Sequence, residues 1–311
     1  MSKNIVVGSR SSRLAVLQAK ELMGQLRNAM PELELSLVKI KTQGDKDHKS
    51  PLIQIGGRGV FVKELEDALL GGEIDIAVHS LKDMPSQLAA GLEIAAVPVR
   101  RDPRDALVSG SRRTLAQLPP GARIGTGSQR RAVELQAFRP DLKICPLRGN
   151  VDTRVNKVRS GELDGIIVAA AALERMGWRD KATEYLPIEI FMPAACQGAL
   201  GVEVRAGDGA AATVALVNDE ASWQTTTAER AFLRTLGGGC RSAIAAIARV
   251  EDNDTLQIEG MVAGMLSRKV IRAKLSGLSQ MPEQLGERLA QKMLDMGAGK
   301  LIEEALLSTN Q

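Results

Sequence analysis

The sequence predicts an α/β protein with two parallel-sheet lobes, followed by a small C-terminal α+β domain with an antiparallel sheet. Through residues 5–204, short apolar runs alternate with segments of helical period, which is the pattern of parallel strands covered by helices. After a helix at about 225–236, three alternating runs precede one closing helix at 282–307, as in an antiparallel sheet with a helix beside it. The length of 311 residues also favours two or three domains over one.

The elements follow in order along the chain. In the first lobe, Ser11 or Ser12 caps a predicted helix, and Gly71 ends a second helix at 61–70. The alternation restarts after a segment rich in Pro and charge at 98–103. The predicted strands are 5–7, 35–40, 74–78 and 92–97 in the first lobe and 106–108, 123–125, 142–147 and 165–169 in the second, with helices near 130–138 and 151–159.

A further apolar run at 200–204 follows a second segment bounded by prolines, residues 187–193. If this run returns to the first sheet as a strand, two crossing segments join the lobes. The two lobes would then form a hinged clamp around a ligand. The predicted domains are therefore 1–98 with 194–217, then 99–193, and finally 218–311.

The formal net charge of +4 conceals an uneven distribution. Residues 100–159 contain fourteen basic and five acidic side chains, so this segment carries +9 and the rest of the chain −5. Twelve of the fourteen are Arg, the residue suited to bidentate pairing with carboxylates or phosphates. A solvated surface is the alternative interpretation of such a charge run.

Five arginines stand at the predicted starts of helices: Arg10, Arg130, Arg131, Arg148 and Arg154. The helix dipole is already positive there, so each cation is unfavourable by about 0.3–1 kcal/mol. An anion would reverse this effect, because free N–H groups, guanidinium groups and small loop residues such as Gly125-Thr126-Gly127-Ser128 together form anion sites. We therefore expect a polyanionic ligand at the carboxyl edges of the sheets.

Composition disfavours several other classes of protein. Only seven residues are aromatic, which argues against a base-stacking platform for nucleic acid. No run of about 18 apolar residues and no apolar leader at 1–10 is present, so we expect a cytoplasmic protein with no membrane partner. Cys145, Cys196 and Cys240 are far apart and form no CxxC pair, which disfavours a disulfide framework and a metal site.

The loop from His79 to Pro85 follows a predicted buried strand, where open α/β folds place their ligands. Among the expected cations, Asp83 would stay ionised and could stabilise a transient positive charge on a substrate. A structural ion pair with Lys82 or an Arg explains Asp83 equally well, and His79 could be structural or catalytic.

Cys240 follows three glycines, which would leave its thiol accessible to carry a covalent group. A small apolar role is the alternative for any lone cysteine. Cys145 fits a core strand better, and Cys196 is ambiguous.

Seven motifs, in order along the chain, closely resemble those of the porphobilinogen deaminase (hydroxymethylbilane synthase) family. They are SRSSRLA (9–15), GGRGVFVKE (56–64), AVHSLKDMP (77–85), RDPRDAL (101–107), IGTGSQRR (124–131), LRGNVDTR (147–154) and AERAFL followed by LGGGC (228–240).

This resemblance implies two hinged periplasmic-binding-protein-like α/β lobes and a third domain whose cysteine, here Cys240, holds a dipyrromethane cofactor through a thioether bond. It implies a transferase of tetrapyrrole (haem) biosynthesis that joins four porphobilinogen molecules head to tail, releases ammonia each time and frees hydroxymethylbilane by hydrolysis. Each pyrrole carries an acetate and a propionate, which would be the anions that the arginines meet.

In the family's terms Asp83 would be the catalytic group. It would assist the loss of ammonia, stabilise the resulting azafulvene cation and help to remove the proton after coupling. A carboxylate about 4 Å from a unit positive charge gains roughly 4 kcal/mol at an effective dielectric constant near 20.

The remaining contacts are also implied by the resemblance. The cofactor would be held by Lys82, Asp83, Ser12, Thr126, Ser128, Arg130, Arg131, Arg148 and Arg154. The substrate would be held by Arg10, Ser12, Arg148, Arg154, Arg175 and Gln197. Arg58, Val60 and Phe61 would belong to an active-site loop with a lid role. The chain departs from the family pattern at Gln43, at Gly127 and at Arg241-Ser242-Ala243, which leaves loop behaviour and rate open.

A non-catalytic two-lobed protein that binds a small polyanion is the rival hypothesis, because a fold does not specify a function. Such a protein would need neither the Asp83 loop nor the Gly-rich loop before Cys240. We expect a monomer whose partner is the small-molecule substrate porphobilinogen. Nucleic acid is the least supported partner. A steep salt dependence of DNA affinity would be the evidence for it.

Overall fold

The computed structural model describes residues 4–42, 62–237, 243–252 and 254–307. The chain divides into two compact units: unit 1 is Met1–Arg101 with Gly198–Trp223, and unit 2 is Asp102–Gln197 with Gln224–Gln311. The division into three domains expected from the sequence is not decided by these units and stays a prediction. In the described ranges, no helix is long and apolar enough to cross a membrane.

The strands and helices of these residues are numbered in chain order. The strands are β1 (Asn4–Arg10), β2 (Glu34–Ile40), β3 (Ile76–Ser80), β4 (Leu92–Ala96), β5 (Asp105–Ser109), β6 (Arg123–Thr126), β7 (Lys143–Pro146), β8 (Gly165–Ala169), β9 (Glu184–Tyr185), β10 (Leu200–Arg205), β11 (Ala243–Glu251), β12 (Thr255–Ala263) and β13 (Val270–Leu278). The α-helices are α1 (Arg13–Ala29), α2 (Lys63–Leu70), α3 (Gln129–Phe138), α4 (Val151–Arg159), α5 (Ala170–Arg175), α6 (Gly209–Val214), α7 (Glu220–Leu236), α8 (Pro282–Asp295) and α9 (Ala298–Leu307).

Unit 1 contains a five-stranded sheet in the order β2-β1-β3-β10-β4. Strand β1 is parallel to β2 and β3, whereas β10 is antiparallel to β3 and β4. Alternate side chains of the central strands, among them Val7 and Val202, are fully buried and pack with Leu22 and Leu26 of α1. Removing these side chains from water fixes α1 on the sheet, and α2 packs through a separate apolar cluster that includes Leu65.

Unit 2 contains a five-stranded sheet in the order β7-β6-β8-β5-β9 and a three-stranded antiparallel sheet in the order β11-β12-β13. Strand β6 is parallel to β7 and β8, and β5 is antiparallel to β8. The two five-stranded sheets therefore have the same topology. In each sheet the fourth strand in spatial order, β10 in unit 1 and β5 in unit 2, is the first strand that the chain forms after it arrives from the other unit. The prediction of two α/β lobes and a C-terminal antiparallel sheet is confirmed. The expectation of parallel sheets in the lobes is wrong, because β10 and β5 run antiparallel to their neighbours and both sheets are mixed.

The structure corrects the predicted elements at several points. The single helix expected at 282–307 is wrong: α8 and α9 are separate, because Gly297 has a φ of +98° that an α-helix does not accommodate. Strand β3 begins at Ile76 rather than at residue 74, and α7 begins at Glu220 rather than near 225. The short elements α5, α6 and β9 were not expected, because two to six residues carry too little periodicity to be recognised.

Candidate functional site

Two loops lie side by side at the carboxyl edge of the five-stranded sheet of unit 2. Thr126, the last residue of β6, pairs with Pro146 of β7, and the Leu147 N–H donates to the Thr126 carbonyl at 3.2 Å. A Cβ atom on Gly127 would lie 2.5 Å from the Leu147 carbonyl oxygen, so a glycine is needed for this close approach. The pairing of β6 with β7 therefore brings together the starts of α3 and α4.

Ser128 organises the start of α3. Its hydroxyl accepts a hydrogen bond from the Arg131 N–H at 3.4 Å, and its own N–H donates to Thr126 Oγ1 at 3.1 Å. Thr126 is buried, whereas Ser128 is partly exposed. Ser128 is the N-cap residue of α3, and its exposed side is available to a ligand.

The start of α4 is less completely capped. Asn150 is the N-cap residue, but its side chain makes no capping hydrogen bond. Arg148 and Arg154 are half-buried on either side of it, and Arg154 Nε donates to the Gly149 carbonyl at 2.7 Å. First-turn N–H groups beside two guanidinium groups form a donor set of the kind that carboxylates need.

The two arginines in the first turn of α3 are buried. Arg130 is 3% and Arg131 6% exposed, and both meet the fully buried carboxylate of Asp105. Arg131 Nη2 donates to Asp105 Oδ1 at 2.7 Å, and Arg130 Nη1 lies 2.9 Å from Asp105 Oδ2. The hydrogens of Arg130 Nη1 point to Glu134 Oε2 at 2.9 Å and to the Met192 carbonyl at 2.7 Å, so its attraction to Asp105 is that of an ion pair without a directed hydrogen bond.

These charges shift the pKa values of the two acids in opposite directions. Burial alone raises the pKa of Asp105, but Arg130 and Arg131 outweigh it and hold that pKa well below the ordinary range. Burial raises the pKa of Glu134 to about 7, since the attraction of Arg130 does not offset it and the charge of Asp105 adds to it. The four side chains are therefore neutral in sum above this pH and carry one positive charge below it.

Gln197 completes this group, which we call the Asp105 cluster: Asp105, Arg130, Arg131, Glu134 and Gln197. The Gln197 side chain is fully buried, with Nε2 donating to Asp105 Oδ1 at 2.8 Å and to the Pro103 carbonyl at 2.8 Å. The expected contacts of Gln197 with substrate, and of Arg130 and Arg131 with cofactor, stay predictions. In the structure these side chains contact other members of the Asp105 cluster. Sequence reasoning missed Asp105 as their partner, although RDPRDAL contains it.

In unit 1 the candidate residues also lie at a carboxyl edge. The pairing of Gly8 with Ala77 places the ends of β1 and β3 next to each other, which brings Arg10 and the residues after Ser80 to the same edge. Arg10 and Ser12 are both partly exposed, and Ser12 caps α1 by accepting from the Ala15 N–H at 3.3 Å.

Asp83 ends a short 3₁₀ turn, Leu81–Asp83, that directly follows β3. Two hydrogen bonds anchor the start of the turn. Gln18 Nε2 donates to Ser80 Oγ at 2.7 Å, and the Leu81 N–H donates to the Ala199 carbonyl at 3.1 Å. Leu81 is 1% exposed, whereas the Asp83 side chain is exposed and Lys82 partly so. The backbone of the turn is therefore fixed while the carboxylate stays accessible.

His79 lies one residue before the end of β3 and points into the protein. Its Nε2 is 3.0 Å from Glu203 Oε2, and the two side chains are 4% and 0% exposed. This contact between neighbouring strands favours the structural interpretation of His79 over the catalytic one.

The other candidates are distributed as follows. Arg175 ends α5 and is partly exposed, Cys145 is half-buried in β7, and Cys196 is buried with its Sγ 3.7 Å from the Thr226 carbonyl. Several residues singled out in the sequence lie outside the described residues: Cys240, Arg58, Val60, Phe61, Gln43, Arg241 and Ser242. Within the described part of the chain, no three His, Cys, Asp or Glu side chains are placed to hold a metal ion.

Glu134 gives stability a measurable pH dependence. Its pKa of about 7 in the folded protein exceeds the ordinary 4.5, so its contribution to the free energy of unfolding is full below about pH 4.5 and is lost as the pH rises through 7. Glu134→Gln removes this titration. We expect the free energy of unfolding of the unmodified chain, minus that of Glu134→Gln, to fall by about 1–3 kcal/mol from pH 5 to pH 8. Urea unfolding at several pH values measures this difference, and a flat profile would contradict it.

Comparison with known proteins places the chain in a family. Residues 5–213 match the family described as "Porphobilinogen deaminase, dipyromethane cofactor binding domain", and residues 223–295 match "Porphobilinogen deaminase, C-terminal domain". The porphobilinogen deaminase of Syntrophus aciditrophicus is 48% identical over 301 residues, which cover 96% of this chain and 98% of the relative. That of Moorella thermoacetica is 48% identical over 301 residues, 96% of each chain.

Two solved structures that the chain matches are far more distant in sequence. The periplasmic aliphatic sulphonate binding protein SsuA from Escherichia coli is 15% identical over 76% of this chain and 71% of its own, with a TM-score of 0.40. CbnR, a LysR family transcriptional regulator, is 14% identical over 70% of each chain, with a TM-score of 0.43. The two family matches and the identity of the curated relatives show that this chain belongs to the porphobilinogen deaminase family.

Proposed function

We propose that this chain is a hydroxymethylbilane synthase, a transferase that joins four porphobilinogen molecules head to tail on a dipyrromethane primer, with release of ammonia, and then frees the tetrapyrrole by hydrolysis. The observation that carries the proposal is the Asp83 turn. An exposed carboxylate stands on an anchored backbone at the carboxyl edge of a sheet, in a chain matched by the family over nearly its whole length. A protein that only binds a polyanion has no use for such an acid among cations.

The residues at the unit 2 edge suit a ligand that carries carboxylates. Arg148, Arg154 and Ser128 are partly exposed, and the side chain of Asn150, the N-cap residue of α4, makes no capping hydrogen bond. Arg130 and Arg131 are held by Asp105, so in this proposal they contribute the backbone N–H groups of their turn. Dipyrromethane supplies the pyrrole position at which the first porphobilinogen is joined.

The protein's own groups then have distinct tasks. Arg148 and Arg154 bind and orient carboxylates, and the Thr126 hydroxyl accepts from the backbone N–H of Ser128 and so fixes the position of that residue. Asp83 stabilises the positive charge that develops on the substrate as ammonia leaves, and it accepts a proton after coupling. Arg10, Ser12, Lys82 and Arg175 add further anion contacts, Arg58, Val60 and Phe61 form the active-site loop, and Cys240 carries the cofactor.

Three broader expectations belong to the same proposal. A cytoplasmic location fits a biosynthetic enzyme of this family, a monomer needs no residue from a second copy, and neither nucleic acid nor a membrane has a role in this chemistry. The three-domain division is part of the proposal as well.

The covalent attachment gives the test of the function. We expect the intact mass of the purified protein to exceed that of the 33.3 kDa chain by one dipyrromethane, and Cys240→Ser to abolish both the added mass and tetrapyrrole formation. Cys145→Ser is the control and should keep the added mass. A fully active protein of unmodified mass would refute the proposed function.

Asp83 is tested by removing its charge while keeping its shape. We expect Asp83→Asn to lower kcat at least about 100-fold, since removal of one preorganised electrostatic contact typically has this effect. Asp67→Asn, which changes an exposed acid on α2, should leave kcat unchanged. Rates of ammonia release at saturating porphobilinogen measure both, and retained turnover in Asp83→Asn would rule out its role.

Substitution of two arginines on one helix distinguishes a direct contact with the ligand from the effect of net charge. Arg154 lies in the first turn of α4, and Arg159 is exposed at its last residue. We expect Arg154→Gln to raise KM for porphobilinogen about 10- to 100-fold, the effect of one lost charged hydrogen bond, and Arg159→Gln to change it less than about twofold. Equal effects of the two substitutions on KM would show that only long-range charge matters.

A further inference from the structure

Asp105 has no role in the proposed reaction and Gln197 is expected there only as a substrate contact, yet both are fully buried polar side chains next to the start of α3. Asp105 opens β5, and Gln197 is the last residue of unit 2 before the chain passes to unit 1. Burial of such groups is unfavourable unless their partners are well placed, so their arrangement calls for a physical reason.

Arg131 is the residue on which these contacts converge. Its guanidinium group donates to Asp105 Oδ1 at 2.7 Å, to the Ile167 carbonyl of β8 at 3.1 Å and to Gln197 Oε1 at 3.4 Å. Its backbone N–H is bound by Ser128, the cap of α3. One side chain therefore ties the first turn of α3 to β5, to β8 and to the segment that ends at Gln197.

The backbone next to Gln197 is also fixed, through contacts of the preceding residue with α7. The preceding residue, Cys196, has a φ of +61°, an unfavourable conformation for a residue with a side chain, and its N–H donates to a carboxylate oxygen of Glu229 on α7. The other carboxylate oxygen of Glu229 accepts from the Ala248 N–H of β11 at 2.7 Å. Contacts thus run without a break from β11 and α7 to the start of α3.

We propose that Asp105 and Gln197 are positioning residues for the dipyrromethane cofactor. They act through Arg131, by fixing the first turn of α3 so that the Ser128 hydroxyl and the N–H groups of the turn meet the cofactor carboxylates. The inference rests on the proposed function, and it assigns these two residues to cofactor loading rather than to the chemistry at Asp83.

Loss of the Asp105 charge would leave the guanidinium groups of Arg130 and Arg131 buried with only Glu134 as a counter-charge. Arg130 Nε and Arg131 Nε already have no hydrogen-bond partner within the described residues. Buried cations with too few partners are strongly unfavourable, so the turn would move to hydrate them and the capped geometry would be lost.

The test measures cofactor content separately from turnover. The full chain and the variants Asp105→Asn, Gln197→Ala and the double variant are purified from cells supplied with porphobilinogen, and intact mass gives the fraction of chains that carry the covalent group. We expect this fraction to fall about tenfold for Asp105→Asn, which removes the charge that holds both arginines, and about threefold for Gln197→Ala, which removes only hydrogen bonds beside that charge. The double variant should be no worse than Asp105→Asn, because both act through Arg131. Turnover per loaded chain of Asp105→Asn should stay within about twofold of that of the unmodified enzyme.

Leu118→Ala is the matched control, because Leu118 is 3% exposed in the core of the same unit and outside the contacts of Arg131. It removes core packing, so a loss of loading as large as that of Asp105→Asn would overturn the inference in favour of general destabilisation. Unchanged loading in both single variants, or turnover per loaded chain reduced as much as loading, would overturn it as well. If Asp105→Asn does not fold, Gln197→Ala decides by the fraction of loaded chains. An unmodified enzyme that carries no covalent group refutes the proposed function itself, whatever the variants show.

Discussion

The buried carboxylate of Asp105 is the charge on which the arrangement of the unit 2 edge depends. Two guanidinium groups are taken out of water there, and desolvation of three charges is offset only by close and multiple contacts. Each contact reaches a different piece of backbone, namely β5, the first turn of α3, β8 and the segment at Gln197. An ion cluster of this kind is a weak source of net stability, but it specifies one position for the start of a helix.

This arrangement changes the meaning of the positive charge seen in the sequence. The surplus at residues 100–159 suggests a single anion-binding surface, but the structure divides its arginines by environment. Arg130 and Arg131 neutralise a buried acid, whereas Arg123 and Arg139 pair with Asp164 and Asp141 at the surface. Arg148 and Arg154 remain as the half-buried pair at a helix start. A count of charges therefore overstates the ligand-binding set, because charge that serves the fold and charge that serves a ligand look alike in a sequence.

Features that depend on neighbouring residues can be predicted from the sequence, whereas contacts between residues far apart in the chain cannot. The helix Val151–Arg159 and the strand Gly165–Ala169 match the predicted bounds, because periodicity and punctuation are properties of neighbouring residues. Asp83 is placed correctly at a sheet edge for the same reason, since the loop after a buried strand has to emerge there. The roles of Asp105 and Gln197 could not be predicted, because 92 residues separate two side chains that meet at 2.8 Å. Gly297 divides a helix that its apolar pattern alone would continue.

The same physical principle operates at both edges. In unit 1, Leu81 is buried against Gly201, where a Cβ atom would lie 2.8 Å from Leu81 Cδ1, so the turn that carries Asp83 is held by packing one or two residues away from the exposed carboxylate. In unit 2, Arg131 is buried by Asp105 while the Ser128 that it helps to place remains partly exposed. Each edge separates the residue that fixes the backbone from the residue that faces a ligand. Exposed groups held in this way lose little conformational entropy on binding, which is the condition under which a few hydrogen bonds can orient a flexible, highly charged ligand.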